Sequence, residues 1–263
     1  MLLENNTAII YGGAGAVGGA TVRVFAREGA RVHLAGRTAE TLEKVAAEIR
    51  ADGGSAETAV VDVLDEAAVR AHADSVATEH GIDIVLNAVG IAHVQGPPLA
   101  DLSLAEFLRP VDGSVRAHFI TAKAVAPHLA ASGSGVYLTL STPGARLTGS
   151  GFLGNGVSSA AVEAFSRLLA GELGPAGVRV VCLRPHALPD AVATSHTGDV
   201  FPGIAQRAGL TVDEWLAGAA GATTLGRLPT TTEVAEYAAF AASNRASALT
   251  GAIINLTCGA LVD

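Results

Sequence analysis

The sequence predicts a doubly wound α/β fold: a parallel seven-stranded sheet with helices on both faces, in three α/β/α layers. Three observations predict it. Short β-branched or apolar runs alternate with longer amphipathic segments along the whole chain. Strands that recur with helices between them imply right-handed crossovers, and hence a parallel sheet covered on both faces. No repeat, low-complexity tract or linker interrupts the pattern, so residues 1–263 read as a single domain, and 49% apolar residues are ample for its core.

Taken in order, strands are expected near 7–11, 31–35, 57–61, 82–86, 135–140, 178–183 and 251–256. Helical patterns lie near 16–29, 38–51, 65–80, 103–131, 156–173 and 231–243. Ser103–Glu106, Thr211–Glu214 and Thr230–Glu233 have capping-box spacing, each opening a helical pattern. Gly29, Gly81 and Gly177 fall where helices give way to strands. Residues 186–229 break the alternation with several Pro and Gly and two short helical patterns, and read as a substrate lid on the ligand-binding edge.

Bulk properties exclude several classes of function. Net charge is −8 with basic residues scattered singly, which argues against nucleic acid and anionic membranes as partners. No apolar run reaches the length of a bilayer span. The opening MLLENNTAIIYGG has neither a basic start nor a long apolar core, so a cytoplasmic location is expected. Cys182 and Cys258 sit apart in apolar strand-like runs and read as buried structural thiols. No metal ligands are expected.

The first strand, TAIIY, runs into GGAGAVGGA and then a helix. A strand must turn sharply there while its backbone approaches a pyrophosphate, and the helix N-terminus supplies N–H donors and a positive dipole end. Gly12, Gly15 and Gly18, spaced through this turn, therefore predict a Rossmann-type dinucleotide site. An NAD site usually places an acid about 20 residues beyond the glycines. Ala35 and Gly36 stand there instead, followed by Arg37. A small residue leaves room for a 2′-phosphate and a guanidinium pairs with it, so NADP(H) is expected over NAD(H).

With these features the chain resembles the short-chain dehydrogenase/reductase family along essentially its whole length. The family's TGxxxGxG turn appears as Tyr11-Gly12-Gly13-Ala14-Gly15-Ala16-Val17-Gly18, with Tyr for the first Thr and Ala14 for the middle Gly. VVDV matches the family's adenine-contacting Asp-Val at Asp62 and Val63. NNAG appears as Leu86-Asn87-Ala88-Val89-Gly90, and RPHALPD resembles the segment passing the nicotinamide, with Pro185 kept and His186 replacing a glycine. The resemblance thus implies cofactor contacts at Gly12, Ala14, Gly15, Val17, Gly18, Arg37, Asp62, Val63, Asn87, Ala88, Gly90 and Pro185. It also implies a homodimer or homotetramer, or a hetero-oligomer, paired through the two helices around the active site.

The family's chemistry implies a Ser that binds the substrate oxygen, a Tyr acid/base, a Lys four residues later and a supporting Asn. Those positions here hold Thr142 (with Ser141 beside it), Asn155, Ser159 and Ser114. The chain's three tyrosines are Tyr11, Tyr137 and Tyr237, and its two lysines are Lys44 and Lys123, so no other frame restores a Tyr–Lys pair, the wider spacing of the enoyl-reductase branch included. A carboxamide donates and accepts hydrogen bonds but delivers no proton at ordinary pH. Replacement proton chemistry is available from His186 and His93, both on loops at the ligand-binding edge. Arg146 and Asp190 lie on the same edge, as substrate-anion or His186-orienting groups or as plain solvated charges.

Three functions follow as expectations. The first is an NADP(H)-dependent oxidoreductase acting on a small carbonyl or conjugated enone through a non-standard proton donor. The second is a silent NADP(H)-binding partner subunit or sensor. The third is a non-redox lyase, cyclase or isomerase that uses His186 as base.

Overall fold

The computed structural model describes residues 1–195 and 197–262. The chain runs β1 (Thr7–Tyr11), α1 (Ala16–Arg27), β2 (Arg31–Gly36), α2 (Ala39–Ala51), β3 (Ser55–Val60), α3 (Glu66–His80), β4 (Ile84–Asn87) and α4 (Leu104–Ala131). It continues through β5 (Val136–Leu140), α5 (Leu153–Leu173), β6 (Arg179–Pro185), α6 (Thr197–Arg207), α7 (Val212–Gly221), α8 (Thr231–Ala242) and β7 (Ala252–Leu256). The seven strands form one parallel sheet in the order β3-β2-β1-β4-β5-β6-β7. The order reverses between β1 and β4, and the crevice at the carboxyl ends of such strands is where doubly wound sheets take ligands.

Each strand agrees with the sequence reading to within two residues, because runs such as TAIIY and RVVCLRP are buried at nearly every position. All three predicted capping boxes form, with both reciprocal bonds present. One apolar layer joins the sheet to α1, α2 and α8, and the other joins it to α3, α4 and α5. Helix α5 begins at Leu153, three residues before the expected 156, so Asn155 stands in its first turn. Its N-terminus has no side-chain cap and no acid in that turn, which removed the usual start signal. The expected thiol burial holds for Cys182 but not for Cys258, which is half-buried at a positive φ of 55° after the last strand. Among the described residues no helix is long and apolar enough to cross a membrane.

The buried layer between α4 and α5 makes stability pH-dependent. Burial of His118 on α4 pulls its pKa from 6.5 down to about 4, and its Nδ1 has no hydrogen-bond partner. The unfolded chain therefore takes up a proton near pH 6.5 that the folded chain refuses until much lower pH. Stability is lost as pH falls across that window, by about 2 kcal/mol between pH 7 and 5 for this residue. Urea unfolding of His118→Leu at the two pH values should show the pH dependence reduced by about that amount.

Candidate active site

The glycine turn is built by steric exclusion. Gly12 has φ of +82°, and a Cβ there would lie 2.7 Å from the Ala88 carbonyl oxygen. A Cβ on Gly18 would lie 2.1 Å from the Gly12 carbonyl oxygen, so the first turn of α1 is pressed against the loop before it. Gly12 and Gly13 N–H groups both donate to the Ala35 carbonyl, tying the turn to β2. Helix α1 starts from Gly15 with no side-chain cap and no acid in its first turn, leaving its N–H groups and positive dipole end available to an anion.

This turn opens into a cavity of about 980 Å³ that spans the carboxyl ends of the strands. Gly12, Ala14, Gly15, Val17, Arg37, Asp62, Val63, Ala88, Gly90 and Pro185 line it, as do Thr142, Asn155, Ser159, Ser114 and His186. Two residues expected to touch a cofactor stand behind the wall. Gly18 is buried against Gly12. Asn87 is buried, with its amide donating to Thr121 Oγ1 at 3.0 Å and its Oδ1 accepting from the Val89 N–H at 3.2 Å. Asn87 thus pins the end of β4 to α4 and shapes the turn that follows it.

The residues present fit a nicotinamide dinucleotide. Arg37 is exposed at the cavity rim, with no side-chain hydrogen bond or ion pair among the described residues. Asp62 is exposed and holds its loop through an acceptor bond from the Leu64 N–H at 3.0 Å. The glycine cradle, the open α1 terminus and these two residues would hold the adenosine half, and Pro185 and the α5 side would border the nicotinamide half.

At that second half the four aligned positions form two hydrogen-bonded groups. Thr142 Oγ1 lies 2.8 Å from Ser159 Oγ and 3.4 Å from Asn155 Nδ2. Asn155 and Ser159 sit four apart on α5, which turns both toward the end of β5. Ser158 Oγ lies 3.0 Å from Ser114 Oγ and from the Pro110 carbonyl, joining α5 to α4. Ser141 points elsewhere, donating to Glu163 at 2.9 Å.

Both candidate histidines line the cavity. His186 Nδ1 accepts the Ala187 N–H at 2.6 Å, which assigns the ring proton to Nε2. Burial lowers its pKa, so the ring is a neutral donor at pH 7. His93 Nδ1 lies 2.9 Å from the Ile91 carbonyl and its Nε2 lies 2.9 Å from the Gln95 amide, so both ring nitrogens are engaged. Burial lowers the His93 pKa also. Asp190 takes no part: its carboxylate accepts from the Thr231 N–H and hydroxyl, at 2.9 and 2.7 Å, and anchors the start of α8. Arg146 is exposed and not among the lining residues. No tyrosine or lysine lines the cavity among the described residues. Tyr11 and Tyr137 are fully buried, and the Tyr137 hydroxyl lies 2.6 Å from Thr121 Oγ1.

Sequence reasoning missed two features. Helices α6 and α7 contribute Phe201 and Trp215, whose rings pack with centroids 4.9 Å apart and form an apolar wall. Beneath the floor, Arg184 on β6 pairs with Glu163 on α5 through Nε–Oε1 and Nη2–Oε2 contacts of 2.6 and 2.9 Å. Both side chains are almost wholly buried. The 21-residue separation carried no signal, since only the packing of α5 on β6 brings them together.

Comparison with known proteins agrees with this geometry. The family model described as Enoyl-(Acyl carrier protein) reductase matches residues 12–260. The chain is 32% identical to cis-4-hydroxycyclohexanecarboxylate dehydrogenase of Sinomonas cyclohexanicum over 96% of its own length and 95% of the relative's. It is 28% identical to the 3-oxoacyl-[acyl-carrier-protein] reductase of Chlamydia muridarum, over 98% of both chains. The solved structure of a short-chain type dehydrogenase/reductase from Mycobacterium ulcerans superposes with a TM-score of 0.86 at 26% identity, covering 99% of this chain and 91% of that one. A dinucleotide cradle and a second half built on β5 and α5, in a chain matched end to end by these relatives, place it in the short-chain dehydrogenase/reductase family of nicotinamide-dependent oxidoreductases.

Proposed function

We propose that this chain is an NADP(H)-dependent reductase of a small carbonyl or conjugated enone compound, working without a tyrosine–lysine pair. The observation that carries this reading is one cavity with Arg37 at one end and Thr142, Asn155, Ser159 and His186 at the other. When bound, the nicotinamide supplies or accepts a hydride. As hydride adds to a conjugated substrate, negative charge grows on its oxygen. The Thr142 hydroxyl, the Asn155 amide and the His186 Nε2–H are neutral donors that can hold that charge without first losing a proton. An enolate is a weaker base than an alkoxide and needs prompt protonation less, which favours the enone over the simple ketone. The family model's description as an enoyl reductase supports the same preference. The apolar wall of Phe201 and Trp215 suits a substrate whose body is hydrocarbon.

NADPH oxidation against a panel of enones and saturated ketones tests this reading, run with Asn155→Ala and His186→Ala. Turnover on enones that falls in both variants is the expected outcome. Tight NADPH binding without turnover on any substrate would leave a silent sensor or partner subunit instead. Activity indifferent to both substitutions would refute the site assignment. For the cofactor, Arg37→Ala should weaken NADPH binding roughly 10–100-fold, the worth of one charge-assisted contact. NADH binding should hardly change, and calorimetric titration with each cofactor measures the difference.

The chain also presents a surface that supports self-association. Leu104, Leu108, Val115 and Phe119 on α4 and Leu153, Val157 and Leu168 on α5 are all exposed large apolar side chains. Two helices with such a stripe are suited to pairing with a second copy. Light scattering of the full chain should give twice or four times the 26.3 kDa chain mass, and Phe119→Glu should lower it.

A further inference from the structure

On the far flank of the sheet, away from the cofactor cavity, three metal-ligating side chains from three different elements converge. His33 on β2 and Glu57 on β3 are direct cross-strand partners, so both point to the face covered by α3. His80 is the last residue of α3 and comes down beside them. His33 Nδ1 stands 3.8 Å from Glu57 Oε2, and His80 Nε2 stands 3.4 Å from Glu57 Oε1. One ligand atom from each of the three lies within 4.8 Å of the others. Ligands on a tetrahedral zinc ion with bonds of about 2.0–2.2 Å are about 3.3–3.6 Å apart, so small side-chain rotations would close the set.

A second observation points to a ligand. The His33 side chain is only 5% exposed, and its Nε2 is buried without a hydrogen-bond partner. Its Nδ1 faces Glu57 at a distance too long for a hydrogen bond. A buried imidazole that bonds through neither nitrogen is an unfavourable arrangement, and a cation shared with Glu57 would engage the Nδ1 that faces it. Beside it lies a cavity of about 140 Å³ lined by His33, Glu57, His72, Ser75 and Glu79, with room for water on an open coordination position. Glu79 Oε2, 4.0 Å from His80 Nε2, is a further oxygen donor within reach.

We propose that His33, Glu57 and His80 bind one divalent transition-metal ion of the zinc class. Two imidazoles and a carboxylate suit zinc, nickel or copper and disfavour magnesium or calcium, which demand an oxygen shell. Among the described residues strand β3 is an edge of the sheet and pairs only with β2. The ion clips that edge to its neighbour and to the end of α3. No motif spacing marks the site, because its ligands are 24 and 23 residues apart and meet only through the β2–β3 register.

Calorimetric titration of the full chain with zinc chloride tests the proposal, and its outcome does not depend on any reductase activity. One equivalent should bind and raise Tm by several degrees. Glu57→Gln and His80→Ala should each weaken the binding at least tenfold and abolish the thermal shift. His128→Ala, which removes a separate exposed His–Asp pair, should leave both unchanged. Glu57 is half exposed, so Glu57→Gln should retain the fold even if a histidine variant does not. Absence of binding to the folded wild-type chain, or binding unmoved by Glu57→Gln and His80→Ala, would overturn the proposal.

Discussion

Arg184→Met should destabilise the protein by about 3–5 kcal/mol, because it strands the buried Glu163 carboxylate with the Ser141 hydroxyl as its remaining side-chain donor. Arg184 is 1% exposed and Glu163 is 7% exposed. The pair's two contacts of 2.6 and 2.9 Å take both carboxylate oxygens, and Ser141 adds a third donor to Oε1. For a chain of this size the loss corresponds to a fall in Tm of roughly ten degrees. Arg184→Met combined with Glu163→Met should recover most of it, since replacing a buried pair by apolar groups is often neutral. Thermal or urea unfolding of the two single variants and the double variant gives the coupling directly. A loss in the double variant equal to the sum of the two single losses would show that the pair is not an energetic unit.

The same pair has a consequence for chemistry. Glu163 is one helical turn beyond Ser159, Ser141 immediately precedes Thr142, and Arg184 immediately precedes Pro185. The network therefore clamps α5, β5 and β6 at the points from which the substrate end of the cavity is built. A single variant should accordingly lose kcat on enones as well as stability, with the double variant regaining stability more fully than rate.

The fold was legible because its central strands are buried on both faces and its crossovers are regular, so apolar runs and capping boxes carry the pattern unaided. TAIIY and the boxes at Ser103, Thr211 and Thr230 form as read, and the strand read over 31–35 runs one residue further, to Gly36. The dinucleotide cradle was legible for a steric reason, since Gly12 and Gly18 sit where a methyl group would strike a backbone oxygen. What stayed hidden was anything made by two elements meeting. Asp190 read as a loop charge and turns out to anchor α8, forty-one residues away. The His33–Glu57–His80 cluster depends on strand register and on where α3 ends. Even the tautomer of His186 rests on one backbone N–H, from a residue no different in type from its neighbours.

The converse experiment to the alanine variants is to supply what the reaction centre is proposed to lack. Asn155→Tyr with Ser159→Lys should raise turnover of saturated ketones by roughly 10²–10⁴-fold, the usual worth of a positioned general acid. The two positions are four apart on α5 and flank Thr142 Oγ1, so a phenol and an ammonium placed there would face the same substrate oxygen. Asn155→Tyr alone should gain less, because an unassisted phenol holds its proton to about pH 10 and gives it up poorly at neutrality. Ser159→Lys alone should mainly cost stability, since Ser159 is 5% exposed and an ammonium there would be charged and unpaired. Enone reduction should change little, as its oxygen requires less of a proton donor. A pH profile of kcat that acquires a new ionisation only in the double variant would tie the gain to the phenol. A double variant that folds and binds NADPH yet reduces ketones no faster would place the reaction centre somewhere other than Thr142, Asn155 and Ser159.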